Sequence, residues 1–313
     1  MRDARSCAPG AINVLRARSN QQLVPSGLRM RNFVIIVICL MSLYTPAARS
    51  TDQTMSAADW DAPADTTFER REGFPSGIMT LPRGIAVLKN ASFSNGTIEF
   101  DLKPLEFSDT SIQLRREDAN DSEFVYIRAD PDCPAANDCI QYAPITHGLM
   151  QWDLYPQFQA PAPVSEKGWN HLKIVVAGRR MQVFVNREQI ASLTVDRLQG
   201  LTDSGGIALK GPAAFANLVL RPNEVSGLKE ASRPVRSEPR TVNTWLVAPP
   251  VPLPVDQAPS PLEIPSTVAW RRVRAESDGL VNLSREFGPT ASPAVVWLKT
   301  GIVETDRAAQ ALP

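Results

Sequence analysis

The stretch that most constrains this chain is GWNHLKIVVAGRRMQVFVN, residues 168–186. Leu172, Ile174 and Val176 alternate with His171, Lys173 and Val175, a period of two that sends the first set to one face of a strand. After Gly178-Arg179 the alternation resumes, with Met181, Val183 and Val185 set against Arg180, Gln182 and Phe184. A two-residue loop with Gly in its first place suits a type II′ turn, because Gly alone takes positive φ there at no steric cost. The spacing therefore predicts a β-hairpin pairing Val176 with Met181, Ile174 with Val183 and Leu172 with Val185. A slip of one residue would turn all six to solvent, so pattern and turn specify one register. Lys173, Val175, Gln182 and Phe184 form a mixed opposite face, as expected where one side meets solvent or ligand.

Strand-like runs continue on both sides of this hairpin. They are expected at 77–81, 85–88, 97–103 (TIEFDLK), 111–116 (SIQLRR), 123–128 (EFVYIR), 139–143, 147–155 (HGLMQWDLY), 189–195, 206–210 (GIALK) and 215–221 (FANLVLR). Short strands at regular spacing with turn residues between them indicate an antiparallel sandwich or barrel over residues 51–223. The 27 Pro outnumber the 17 Gly and crowd into residues 224–265, which read as an extended linker. Within it Thr244-Trp245-Leu246-Val247 reads as a strand. Residues 268–273, 279–283 and 294–300 then continue as a partial second β-region, with Trp270 and Trp297 as anchors.

Residues 33–44, FVIIVICLMSLY, follow Arg29 and Arg31 and precede small residues ending in Ala48 and Ser50. Positive flank, short apolar core and small-residue end describe a secretory signal peptide starting at Met30, with residues 1–29 a doubtful extension. Contact with a membrane is expected only through this segment, if it stays uncleaved. With 33 Lys+Arg against 33 Asp+Glu, no net field draws the chain to nucleic acid. Of the 4 Cys, Cys7 and Cys39 fall in the N-terminal segment. Cys133 and Cys139 sit close together in DPDCPAANDC, and outside the cytoplasm they are expected to form a local disulfide. A metal site there would need more ligands than the sequence offers at the right spacing. Calcium is the one cofactor considered, with Asp130, Asp132, Asn137 and Asp138 as oxygen donors.

The NGTIEFDL strand, the WNHLKIVVAGRRMQVFVN hairpin and the GGIALKG…FANLVLRP ending together resemble the concanavalin A-like lectin/glucanase superfamily. The nearest forms are laminin-G-like jelly rolls and the secreted domain called 3-keto-disaccharide hydrolase or DUF1080. The resemblance implies an all-β jelly-roll sandwich, and a fold that hosts lectins, adhesion modules and hydrolases alike. WLVAPPVPL followed by AESDGLVNLSREFG is similar to the start of a galactose-binding-like domain, here cut short.

Two groups of residues bear on chemistry. Glu99 and Asp101 share a strand face, like the E-x-D-x-x-E strand of laminarinase-type glucanases, but Pro104 stands where the second Glu should be. The acid/base pair that retaining hydrolysis needs is thereby broken. With Glu117 these carboxylates are the candidates for an enzyme alternative. The second group is Tyr126, Arg128, Gln141, Tyr142, His147, Trp152, Asp153 and Tyr155, dense in rings for a chain with 7% aromatics. Rings that stack on sugar C–H faces, beside planar polar groups that pair with hydroxyls, are what glycan binding requires. The leading expectation is a secreted or periplasmic carbohydrate-recognition module. A glycoside hydrolase or lyase, and a protein-adhesion module, are the alternatives. The 2 His, His147 and His171, stand at no spacing that would serve a nucleophile. Arg271, Arg272 and Arg274 form a basic cluster too small for nucleic acid.

Overall fold

The computed structural model describes residues 50–186, 189–225, 227–229, 242–253, 267–276 and 279–301. The signal segment, its cleavage site, Cys7 and Cys39 lie outside the described residues, as does most of the Pro-rich stretch.

The chain is an antiparallel jelly-roll β-sandwich built from two eight-stranded sheets. The first sheet runs, edge to edge, Leu193–Val195, Arg180–Val185, Asn170–Ala177, Gly96–Pro104, Ala213–Pro222, Phe74–Leu81 and Thr67–Arg71, with Thr51–Asp52 added to Ala213–Pro222. The second runs Leu149–Met150, Ile140–Thr146, Ser122–Arg128, Asp109–Arg116, Gly206–Lys210, Ile85–Leu88 and Trp60–Asp61, with Gln159–Ala160 on Ile140–Thr146.

The central hairpin has the expected register: Leu172 opposes Val185, Ile174 opposes Val183 and Val176 opposes Met181. All six are fully buried in the main core, where each such side chain contributes about 1.5–3 kcal/mol by leaving water. Gly178 has φ 57 while Arg179 does not, which matches the positive-then-negative φ of a type II′ turn. The turn is fastened from below: Asn95 Oδ1 accepts the Gly178 N–H at 2.7 Å, and the Arg115 guanidinium donates to Gly178 O at 2.6 Å. Gly96 is required by close approach, since a Cβ there would lie 2.2 Å from Arg221 O. On the hairpin's other face Val175 is also buried, against Ala177, Leu228 and the half-buried Phe184 and Val225.

Several expected strands differ: the 189–195 run is strand only at Leu193–Val195, and the 294–300 run is broken into Ala294–Val295 and Leu298–Lys299. The 147–155 run is strand only at Leu149–Met150, because His147 and Gly148 take φ 51 and 79 and fold the chain straight back on Ile145 and Thr146. A three-residue 3-10 turn at Pro156–Phe158 follows. Residues 279–283 are not a strand but lead into a short helix, Leu283–Phe287. Asn282 caps it by accepting the Arg285 N–H at 2.9 Å, and Gly288 ends it at φ 69. An Asn N-cap and a Gly stop outrank a few alternating apolar residues.

Trp245 and its neighbours do form a strand, Thr244–Val247. It lies between Arg271–Arg274 and Leu298–Lys299 in a three-stranded sheet, beside a two-stranded pair of Val251–Pro252 and Ala294–Val295. The Leu283–Phe287 helix docks on the sandwich. The Asn282 amide donates to Gln151 Oε1 at 2.7 Å and to the Tyr155 hydroxyl at 3.0 Å. Arg285 Nη2 also donates to that hydroxyl at 3.0 Å, and the hydroxyl itself donates to Glu276 at 2.8 Å.

Candidate functional site

Strand alternation divides the ring-and-polar group into two sets. Glu123, Val125 and Ile127 point into the sandwich, so Phe124, Tyr126 and Arg128 take the outer face of the second sheet. On the next strand Ile140 and Tyr142 point inward, and Gln141 and Ala143 outward. Tyr142 is accordingly a core residue, fully buried with the main apolar cluster. Tyr155 is buried too, and its hydroxyl serves the helix contact described above. Neither ring offers a face to a ligand.

Tyr126, Arg128 and Gln141 do come together. Tyr126 directly opposes Gln141 across the strand pair, and its hydroxyl donates to Gln141 Oε1 at 2.7 Å. Gln141 Nε2 in turn donates to the Trp152 carbonyl at 3.3 Å. The Tyr126 ring stacks on Phe124 at 5.0 Å, and the Arg128 guanidinium sits 5.5 Å from its centroid. Tyr126 and Gln141 are nevertheless buried, and burial pushes the Tyr126 phenol up, well above its ordinary range. The pair forms a floor, linking Arg128 to the Trp152 backbone.

The rim above that floor is accessible. Arg128 Nε donates to Asp109 at 3.1 Å, and Nη1 pairs with Asp138. Burial opposes the charge on Arg128, but hydrogen bonding to Asp109 and the other neighbours hold its pKa above the usual value. These two pairs use two of the five guanidinium N–H groups, leaving three for a ligand. Trp152 is 48% exposed, and Asp153 beside it is exposed as well. The site thus presents an oriented cation between two carboxylates, with an uncovered indole on a loop tied to the same floor.

His147 sits apart, at the turn before Leu149. Its Nε2 lies 3.1 Å from the Arg285 carbonyl, so it must donate there and belongs to the helix contact. The Cys133–Cys139 disulfide is present, with Cα atoms 5.9 Å apart, and it closes the loop that delivers Asp138. Of the oxygen donors in that loop, Asp138 is engaged by Arg128, and Asp130 Oδ1 accepts the Asp132 N–H at 2.8 Å. Among the described residues no group of three or more His, Cys, Asp or Glu is placed to hold a metal ion.

Two carboxylates of the enzyme alternative, Glu99 and Asp101, lie on the outer face of the first sheet, apart from this site. Glu99 pairs with Arg221 at 2.9 Å. Asp101 contacts His171 Nδ1 at 2.7 Å through one oxygen and accepts from Asn217 at 2.6 Å through the other. Glu117 is exposed in the turn between two strands of the second sheet. A carboxyl pair facing across an open cleft is not what these three form.

Asp109 was not singled out from the sequence, because the strand reading began at Ser111. Started two residues earlier, the hairpin register places Asp109 opposite Arg128. Glu123 was legible as well, since it alternates with Val125 and Ile127 and so had to point inward. It is fully buried, accepts from the Tyr142 hydroxyl at 2.5 Å and from the Gly200 N–H at 3.1 Å, and desolvation raises its pKa.

No protein-family model matches the chain, and no curated protein matches it. Solved structures do. The carbohydrate-binding module CBM66 from Bacillus subtilis is 16% identical, covering 54% of this chain and 96% of its own, with a TM-score of 0.37. Domain 4 of an extracellular arabinanase from Geobacillus stearothermophilus, solved with arabinotriose, is 10% identical over 56% and 82%, with a TM-score of 0.34. A Bacillus licheniformis β-glucanase is 10% identical over 58% and 94%, with a TM-score of 0.35. Scores of this size carry no statement about what this chain binds.

Proposed function

We propose that this chain is an extracytoplasmic carbohydrate-recognition module. Its binding surface is the rim of the second sheet, where Trp152 stacks on a sugar face and Arg128, Asp109, Asp138 and Asp153 take its hydroxyls. The observation that carries this reading is the coupling of an exposed indole to an oriented guanidinium through Tyr126 and Gln141. Flat ring and fixed planar donors are the pair of features a pyranose needs. The disulfide beside the site supports an oxidising compartment. Glu99 and Asp101, two of the three carboxylates weighed for hydrolysis, are engaged by Arg221, His171 and Asn217, which favours binding over turnover.

Affinity electrophoresis of the full chain against a panel of soluble polysaccharides tests the proposal. Retardation by at least one glycan, abolished in the Trp152→Ala, Arg128→Ala double variant, is the expected result. Retardation that survives the double variant overturns the assigned site. Release of reducing sugar from the same panel would replace recognition with catalysis.

A further inference from the structure

The three-stranded sheet near the C-terminus carries a second feature, independent of the glycan surface. Leu246 directly opposes Arg272 on one side and Lys299 on the other, so the three side chains share a face. Thr244 opposes Arg274 one step along that face, and Trp270 precedes Arg272 by two residues on the same side. The opposite face is the packed one, with Val247 and Val273 buried. A cleft of about 400 Å³ at this sheet is lined by Leu246, Arg272 and Lys299 together with Thr244, Trp245, Thr300 and Gly301.

Arg272, Arg274 and Lys299 are exposed, and among the described residues none of the three forms an ion pair, whereas Arg271, on the packed face, pairs with Glu286 at 2.7 Å. The strands bearing Arg272 and Lys299 lie two spacings apart, roughly 10 Å. Their side chains nevertheless approach from both edges: the Lys299 ammonium sits 3.9 Å from the ring centroid of Trp270, which immediately precedes the strand Arg271–Arg274. Cation–π attraction thus holds the ammonium at a ring two residues before Arg272, and among the described residues no carboxylate pairs with either cation. Two like charges gathered in this way repel, and an oxyanion between them removes the repulsion while filling their free N–H groups. Thr300 Oγ1 is already turned inward to the Thr244 carbonyl at 2.9 Å, which keeps that wall of the cleft in place.

We infer that this cleft is an oxyanion-binding site, taking the carboxylate or sulfate of an acidic saccharide between Arg272 and Lys299. Isothermal titration of the full chain with polygalacturonate, a sulfated polysaccharide, neutral dextran and inorganic sulfate tests it. Binding of an acidic polysaccharide that weakens at least tenfold in the Arg272→Gln, Lys299→Gln double variant, and with added NaCl, is expected. Each single variant should give a smaller loss, and Trp270→Phe should keep most of the affinity where Trp270→Ala does not. Equal binding by inorganic sulfate would assign the site to a free oxyanion and leave the residues standing. Absence of any anion binding, or affinity unchanged in the double variant, overturns the inference. The Trp152→Ala, Arg128→Ala variant is the control: it should leave this titration unchanged, so the two sites fail separately.

Discussion

The outer faces of the two sheets use the same kinds of residue to opposite ends. On the first sheet, Glu99, Asp101, His171 and Arg221 are closed on one another, each carboxylate consumed by a cation or an amide from the next strand. On the second, Arg128 is held by Asp109 and Asp138 yet keeps free N–H groups, and a buried pair beneath it ties in an exposed ring. The lesson is that charge on a strand face does not mark a site; charge left partly unspent, beside uncovered apolar surface, does. A closed ion pair at the surface contributes at most about 1 kcal/mol to stability and offers a ligand nothing.

The contrast can be broken by mutation. The largest effect is expected from Arg128→Ala, a loss of about 10–100-fold in glycan affinity, the worth of a charge-assisted hydrogen bond, with Tm little changed. His171→Ala should leave affinity within about twofold, a change below 0.5 kcal/mol; the reverse ranking in affinity electrophoresis would exchange the roles of the two faces. Trp152→Ala should weaken binding by roughly 5–10-fold, because a stacked ring contributes on the order of 1 kcal/mol. It should leave the urea midpoint unchanged, the ring being exposed.

A third test concerns the interior. Burial raises the pKa of Glu123, so the folded state holds a proton there that the unfolded chain has already released. Stability should therefore fall as pH rises from the ordinary carboxyl range through the raised value, then level off above it. Urea unfolding across that range should show this slope in the native chain and not in Glu123→Gln. The smallest effect belongs to Asp101→Asn, a loss of about 1 kcal/mol or less in unfolding free energy, with binding intact.

How far the sequence reached depended on where strand period alone settles the answer. Leu172 to Val185 were legible to the pair, because a Gly turn and six alternating apolar residues leave one register. The sandwich followed from the same period, and the disulfide from two Cys six residues apart in a chain expected outside the cytoplasm. Trp152 did not: its apolar neighbours mimic a strand, but a strand needs a partner, and the His147-Gly148 reversal takes the chain away after Met150. Tyr142 and Tyr155 could be weighed only as ring types, since burial is decided by what packs over them. Arg285 and Asn282 were invisible for a related reason. Their partners Gln151, Tyr155 and Gln199 lie far away in sequence, and no local pattern announces a contact of that kind.

The Tyr155 hydroxyl, shared by Glu276, Asn282 and Arg285, gives the molecule a joint that does not depend on its tether. A protease that severs the backbone between Lys229 and Val242 is expected to yield two fragments that still migrate as one species on a native gel and separate only in denaturant. Scission at that point would alter the covalent length of the polypeptide without releasing its tail.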